Sequence, residues 1–214
     1  MTTRRGPGGA SVRLSWFIVP PLSVLAVSAL LWTAALAGPH AFVVGPPPSA
    51  VSSIFTPEVE YWSPSIVRWA ADQHLDPNLV AVVMQIESCG DPFARSRAGA
   101  LGLFQVMPPH FANSEDPYAP DTNAARGLLY LARSLETAGS DTRLALAGYN
   151  GGIALISQPE SNWPAETVRY AHWGNGIYAD ALSGAAYSGR LAEWLAAGGH
   201  GLCSQARQRL DLGP

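Results

Sequence analysis

The 214-residue chain is 48% apolar and only 14% charged, which argues against disorder throughout and leaves room for one medium domain with segments to spare. Its formal net charge is −3 and its 13 basic residues, all arginines, are scattered without a basic tract. Nucleic-acid binding by phosphate neutralisation is therefore unsupported.

Residues 1–13 carry Arg4, Arg5 and Arg13 and no acid, and read as a basic cytoplasmic tail. Residues 14–37, LSWFIVPPLSVLAVSALLWTAALA, contain no charge. That length suffices to span a bilayer, which takes roughly 20 apolar residues. Ala35-Leu36-Ala37 also fits a small-residue cleavage site, so the segment reads as a transmembrane anchor or a signal peptide. Either way, the remainder is expected outside the cytoplasm, with the membrane as a partner only if the segment stays uncleaved. Residues 38–55 are rich in Pro, Ser and Gly, with Pro46, Pro47 and Pro48 favouring an extended linker. A folded domain is then expected over 56–207, with 208–214 as a tail.

Within that domain the helical period recurs. EVEYWSPSIVRWAADQHL places Ile66, Trp69 and Ala70 on one face, with Pro64 near a helix start. Asp76-Pro77 is a capping acid followed by proline at the first helical position, and Leu79, Val82, Val83 and Ile86 then repeat toward Glu87. Gly90 is a left-handed stop. AGALGLFQVMPP, 98–109, has no helical period and reads as a loop or small sheet. Asp121 is a candidate cap for a helix ending near Gly139, and Asp141 for TRLALAGYNGG. Pro164 opens AETVRYAHW, and GRLAEWLAAGG forms a last helix. The fold class is mainly α with a small β element.

Glu87 ends an apolar helix, with Val83 and Met84 one turn back. A desolvated carboxyl resists ionisation, and a raised pKa suits a general acid near neutral pH. An exposed glutamate at a helix end fits the same pattern. Three later stretches bring polar and aromatic groups of the kind that line carbohydrate clefts: SRAGALGLFQVMP with Ser96, Gln105 and Met107, LAGYNGG with Tyr149 and Asn150, and AETVRYAHW with Glu166, Tyr170 and Trp173.

Glu87-Ser88, Gly102-Leu103-Phe104-Gln105-Val106-Met107-Pro108, Ala147-Gly148-Tyr149-Asn150-Gly151-Gly152 and Glu166-Thr167 with Tyr170 resemble, in order, the motifs of the soluble lytic transglycosylase family over roughly residues 60–175. Phe104 stands where the family often has methionine, and Gly148 where it has alanine. The resemblance implies a goose-type lysozyme-like α+β domain in the bacterial cell envelope, outside the cytoplasm. It implies peptidoglycan glycan strands as substrate, no cofactor and no metal. It further implies non-hydrolytic cleavage of the β-1,4 bond between N-acetylmuramic acid and N-acetylglucosamine, leaving 1,6-anhydromuramoyl ends. Glu87 would be the sole acid/base, with Ser96, Gln105, Met107, Tyr149, Asn150, Glu166 and Tyr170 lining the cleft.

Two cysteines, Cys89 and Cys203, lie 203 − 89 = 114 residues apart. In an oxidising compartment they are expected to pair, pinning HGLCSQA beside the end of the Glu87 helix. Three other readings compete with the transglycosylase. A lysozyme-like hydrolase would recruit Asp91 or Asp116 as a second carboxylate. A glycan-binding module would keep the groove without turnover. A hydrolase with Cys89 as nucleophile would use His74, His110, His172 or His200 as its base.

Overall fold

The computed structural model describes residues 50–213. The basic tail, the apolar segment 14–37 and most of the linker lie outside the described residues. No described helix is long and apolar enough to cross a membrane.

Among the described residues eight helices follow in order: α1 (Pro57–Glu60), α2 (Ser63–Asp72), α3 (Pro77–Glu87), α4 (Pro120–Thr137), α5 (Thr142–Gly151), α6 (Ala165–Leu182), α7 (Gly189–Trp194) and α8 (His200–Arg209). Short 3-10 turns interrupt the connections, and a wider turn, Leu195–Gly199, joins α7 to α8. The architecture is mainly helical.

Helix α3 is the central element. Asp76 caps it, its Oδ1 accepting from the Asn78 N–H at 2.7 Å, and Pro77 stands where no backbone donor is required. Nine of its residues, Pro77 to Gln85, are buried, because α2 covers one side and α6 the other. Fully burying each large aliphatic side chain of this run contributes about 2 kcal/mol. The helix stops where Cys89 and Gly90 both turn to positive φ, +50° and +86°. At Gly90 a side chain would meet the Glu58 carbonyl at 2.7 Å, so only glycine fits. The glycine stop is visible in sequence; the left-handed Cys89 is not, since a disulfide rather than a residue preference holds it there.

Helix α5 packs between α4 and α6, and its own cap is Asp141, accepting from Leu144 N–H at 2.9 Å. The start of α4 differs from expectation. Ala119 precedes it, Pro120 opens it, and Asp121 lies inside the first turn. There the Asp121 carboxylate accepts from Trp69 Nε1 at 2.7 Å and pairs with Arg68 at 2.5 Å, tying α4 to α2 instead of capping. Two chain ends differ as well. Ile54 and Phe55, the last residues of the expected linker, are buried against the core, and α8 runs on to Arg209.

The expected small sheet does not form among the described residues. Segment 95–106 makes two isolated antiparallel bridges, Arg95 with Leu101 and Leu101 with Val106. Positive φ at Gly99, Gly102 and Gln105 turns the chain every few residues, too often for a ladder to extend. Buried polar side chains hold it instead. Asn123 of α4 accepts from Phe104 N–H and donates to the carbonyls of Leu101 and Pro117, each at 2.8 Å. From the other side Ser88 Oγ donates to the Leu103 carbonyl at 2.7 Å.

Candidate active site

Glu87 lies at the junction of two cavities. One, of about 470 Å3, runs between the 96–107 segment, α4 and the end of α5; the other, of about 360 Å3, lies toward α6 and the Leu195–Gly199 turn. Glu87, Asn150 and Glu166 border both.

Glu87 as a residue is half-buried, and the groups packed around its carboxyl exclude enough water to push its pKa up to about 8. Desolvation is the main cause; the Tyr170 hydroxyl, turned toward it, offsets part of the rise, and the negative charge of Glu166 adds to it. The Tyr170 hydroxyl is buried and closes no hydrogen bond among the described residues. It is a donor held in reserve beside the carboxyl. Burial and the proximity of Glu87 raise the pKa of both Tyr170 and Tyr149 well above the usual phenol value, so both stay protonated.

The other sequence-predicted residues have distinct tasks. Tyr149 donates its hydroxyl to the Phe104 carbonyl at 2.7 Å, which fastens the cavity wall to α5. Gln105 spends its amide N–H groups on the carbonyls of Ala94 and Gly102, at 3.2 and 3.0 Å, leaving its amide oxygen for the cavity. Ser96 closes a turn, its Oγ accepting from Ala100 N–H at 3.0 Å, and borders the cavity beside Met107, which is 41% exposed. Asn150 accepts from Thr167 Oγ1 at 2.7 Å, coupling the end of α5 to the start of α6. Glu166 is exposed in the first turn of α6. All seven border one or both cavities with Glu87, Ser96, Gln105, Met107 and Tyr149 the larger and Tyr170 the smaller.

Cys89 and Cys203 are joined in a disulfide with Cα atoms 5.0 Å apart, so neither offers a nucleophile. Gln85 Nε2 donates toward Cys89 Sγ at 3.0 Å. Two further bonds fasten α8 to this region: Gln205 Nε2 to Asp91 Oδ2 at 3.0 Å, and Arg207 Nε to the buried Glu58 at 2.7 Å. Asp91 is thereby removed from consideration as a water-positioning carboxylate, since it is fully buried and also accepts from Phe93 N–H at 2.9 Å. Asp116 accepts from Tyr118 N–H at 2.9 Å and borders neither cavity. Glu166 is the second carboxylate that shares both cavities with Glu87.

The sequence reading gave no cleft role to three wall residues: His110, weighed there only as a base for Cys89, Arg126 and Tyr130. His110 and Tyr130 have ring centroids 5.5 Å apart, and Tyr130 meets Tyr149 edge-on at 5.8 Å, forming an aromatic row along the larger cavity. Arg126 is held by a two-pronged bond to Glu115, at 2.9 and 2.6 Å. The helical period of α4 places Gly127, Leu128 and Leu131 inward; a tyrosine at its margin carried no separate signal.

Residues 64–169 match the family model described as "Transglycosylase SLT domain". A "Transglycosylase" of Enterobacteria phage PRD1 is 37% identical over 111 residues, covering 51% of this chain and 40% of the phage protein. "Endo-type membrane-bound lytic murein transglycosylase A" of two Klebsiella pneumoniae strains is 29% identical over 126 residues, covering 52% of this chain and 54% of theirs. The chain thus spans about half the length of these relatives. A crystal structure of the lytic transglycosylase Slt of Pseudomonas aeruginosa, an inactive mutant, aligns over 57% of this chain and 24% of its own, with a TM-score of 0.48 and 23% identity.

Proposed function

We propose that this chain, a member of the transglycosylase SLT domain family through residues 64–169, is a peptidoglycan lytic transglycosylase with a goose-type lysozyme-like catalytic domain. The observation that carries the reading is the state of Glu87: a carboxyl that holds its proton up to about pH 8, set where two cavities meet. The matching relatives, named as transglycosylases, support it.

The chemistry follows from one group used twice. A glycan strand lies through both cavities with its scissile bond at Glu87. The protonated carboxyl gives its proton to the glycosidic oxygen, and the bond from that oxygen to the muramoyl anomeric carbon breaks. The carboxylate left behind takes the proton of the muramoyl 6-hydroxyl as that oxygen bonds to the same carbon. The products are a 1,6-anhydromuramoyl end and a new N-acetylglucosamine hydroxyl. Glu87 ends the cycle protonated, as it began. Neither water nor a second catalytic carboxylate takes part, unlike the paired acids of ordinary glycosidases.

The remaining groups hold the substrate. The Gln105 amide oxygen and Ser96 present polar atoms to sugar hydroxyls, Met107 and the aromatic row present apolar faces, and the Tyr170 hydroxyl orients the carboxyl. Asn150 fixes the rim between the cavities. Desolvation keeps Glu87 protonated, the charge of Glu166 adds to that effect, and the same charge favours the cationic transition state. Segment 14–37 holds or exports the domain across the membrane, so that it acts in the cell envelope.

A hydrolytic reading has one observation behind it: Glu166 shares both cavities with Glu87 and is a candidate to position water. Mass spectrometry of purified peptidoglycan digested by the full chain, beside Glu87→Gln, separates the two. Anhydromuropeptides from the parent and none from the variant are expected. Reducing ends would replace the transglycosylase with a lysozyme-like hydrolase. Undiminished glycan binding with no product would replace both with a binding module.

A further inference from the structure

The two ends of α3 have different surroundings. Glu87 and the cavities lie at its C-terminal end, about 15 Å of helix from Pro77. At the other end the described chain begins. Ser52 N–H donates to Asn78 Oδ1 at 2.8 Å and Val51 packs against the core, so residue 50 enters beside the start of α3. The last turns of α6 reach the same place. Tyr178 lies close enough to the Asp76 cap for burial and that carboxylate's charge to raise its pKa. Leu182 follows four residues on, along the same face of α6.

The connection from Ala181 to Gly189, ALSGAAYSG, carries no charge. Ser188 Oγ donates to Asp180 Oδ2 at 2.6 Å and folds the connection back on α6. Its tip presents Tyr187, 71% exposed, and Leu182, 54% exposed. The other exposed large apolar side chains have a different setting. Met107 borders the larger cavity, Tyr61 meets Trp62 edge-on, Phe93 lies against Tyr118, and Leu129 is a single side chain on α4. Leu182 and Tyr187 share one uncharged connection, and Tyr187 meets no other ring among the described residues.

The preceding chain indicates what covers this tip. Ala37 ends the uncharged segment that serves as an anchor if it stays uncleaved, and 49 − 37 = 12 residues separate it from Ala50. Fully extended, they span at most about 40 Å. A tether that short supplies an effective concentration in the millimolar range, so a weak contact with lipid suffices. Charge decides the kind of contact. From residue 50 onward the chain holds 10 arginines and all 16 acids, a net charge of 10 − 16 = −6. Anionic headgroups offer it no net attraction, which leaves the apolar side chains. Tyrosine and leucine on an uncharged turn suit the boundary between headgroups and acyl chains.

We propose that the tip formed by Leu182 and Tyr187 docks on the extracytoplasmic lipid surface, with both side chains inserted at headgroup level. Docking by this tip directs the Glu87 end of α3 away from lipid. The proposal rests on segment 14–37 as an anchor and does not depend on transglycosylase activity.

The test uses the full chain reconstituted into phosphatidylcholine vesicles, with acyl-brominated lipid as the quencher. A fluorophore is placed on Ala186→Cys or, near the Glu87 end of α3, on Phe93→Cys. The native cysteines are paired and do not compete for the label. Quenching at Ala186→Cys is expected to exceed that at Phe93→Cys about five-fold and to persist in high salt. Adding Leu182→Ser and Tyr187→Ser together should remove the excess while leaving the thermal melt unchanged. Equal quenching at both labels, or an excess that the serines leave intact, overturns the lipid contact. Loss of the excess in high salt overturns it in favour of headgroup attraction. A concentration-dependent dimer that the serines dissociate would put a second copy on the tip instead. A chain that leaves the vesicles in alkaline carbonate has no anchor, and the proposal falls with it; anhydro product from that same chain would keep the activity.

Discussion

Glu87 and Glu166 border the same two cavities, yet the chain holds them in opposite ways. Glu87 is the last residue of α3, behind nine buried residues and at the negative end of the helix. Water is scarce there and the dipole disfavours a charge, so the proton stays on up to about pH 8. Glu166 opens α6, exposed, where solvent and the positive end of the helix both accommodate an anion. One residue type is thus given two electrostatic tasks by its place on a helix. The exposed one helps keep the other protonated.

The largest expected effect is at Glu87. On the proposed mechanism, Glu87→Gln should lower transglycosylase turnover by roughly 10^3–10^4-fold, since the proposed sole acid/base is lost. The same change should stabilise the fold. Glu87 binds its proton more tightly folded than unfolded, so its favourable contribution is complete below the unfolded value of 4.5 and is lost as pH rises through about 8. Urea melts should show Glu87→Gln about 2–4 kcal/mol more stable than the parent at pH 8 and nearly equal at pH 4. An advantage over the parent no larger at pH 8 than at pH 4 would dismiss the desolvated carboxyl.

The two glutamates also differ in what anchors them. The end of α3 is tied to α8 by the disulfide, whereas the start of α6 is held by Asn150 and packing. Replacing both cysteines by serine should cost about 3–5 kcal/mol for a loop closed across 114 residues. Thermal melts under oxidising conditions check this, and a loss under about 1 kcal/mol would reduce the disulfide to an ornament of the fold.

The contrast between the glutamates was half legible in sequence. The apolar period of α3, the Asp76 cap and the four ordered motifs are local signals, and they locate Glu87 and the residues around it. The proton-holding effect of Glu166 is not local, because it depends on α6 folding back against α3. The same limit hid Asn123, whose three bonds organise the cavity wall, and the aromatic row of His110 and Tyr130. Glycine-rich sequence between residues 98 and 109 permits either a hairpin or a chain of turns. Buried polar partners elsewhere in the chain decided for turns.

A smaller effect is expected at Gly127, behind the wall that faces Glu87. A methyl group there would meet Phe104 Cβ at 2.6 Å and the Tyr149 hydroxyl at 3.2 Å. Gly127→Ala should displace the bond from Tyr149 to the Phe104 carbonyl, costing about 1–3 kcal/mol of stability and roughly ten-fold in turnover. The helix propensity of alanine works the other way, by about 1 kcal/mol. A stabilised, fully active variant would therefore show that the wall is loosely packed and that Tyr149 does not set its position.

The smallest effect tests the link between the two carboxylates directly. The alkaline limb of kcat/KM should report Glu87 losing its proton near pH 8. Glu166→Gln removes a negative charge that raises the Glu87 pKa, so the limb should move to lower pH. Tyr170→Phe removes the hydroxyl that lowers it, so its limb should move to higher pH. At pH 6, where Glu87 remains protonated in both, the Glu166 variant should lose less than about ten-fold in turnover, because a charge acting through space is replaced and no proton carrier is lost. Opposite displacements from neighbouring substitutions are difficult to obtain from general damage to the site. A loss at pH 6 as large as that of Glu87→Gln, with reducing ends among the residual products, would instead give Glu166 a direct part in activating water.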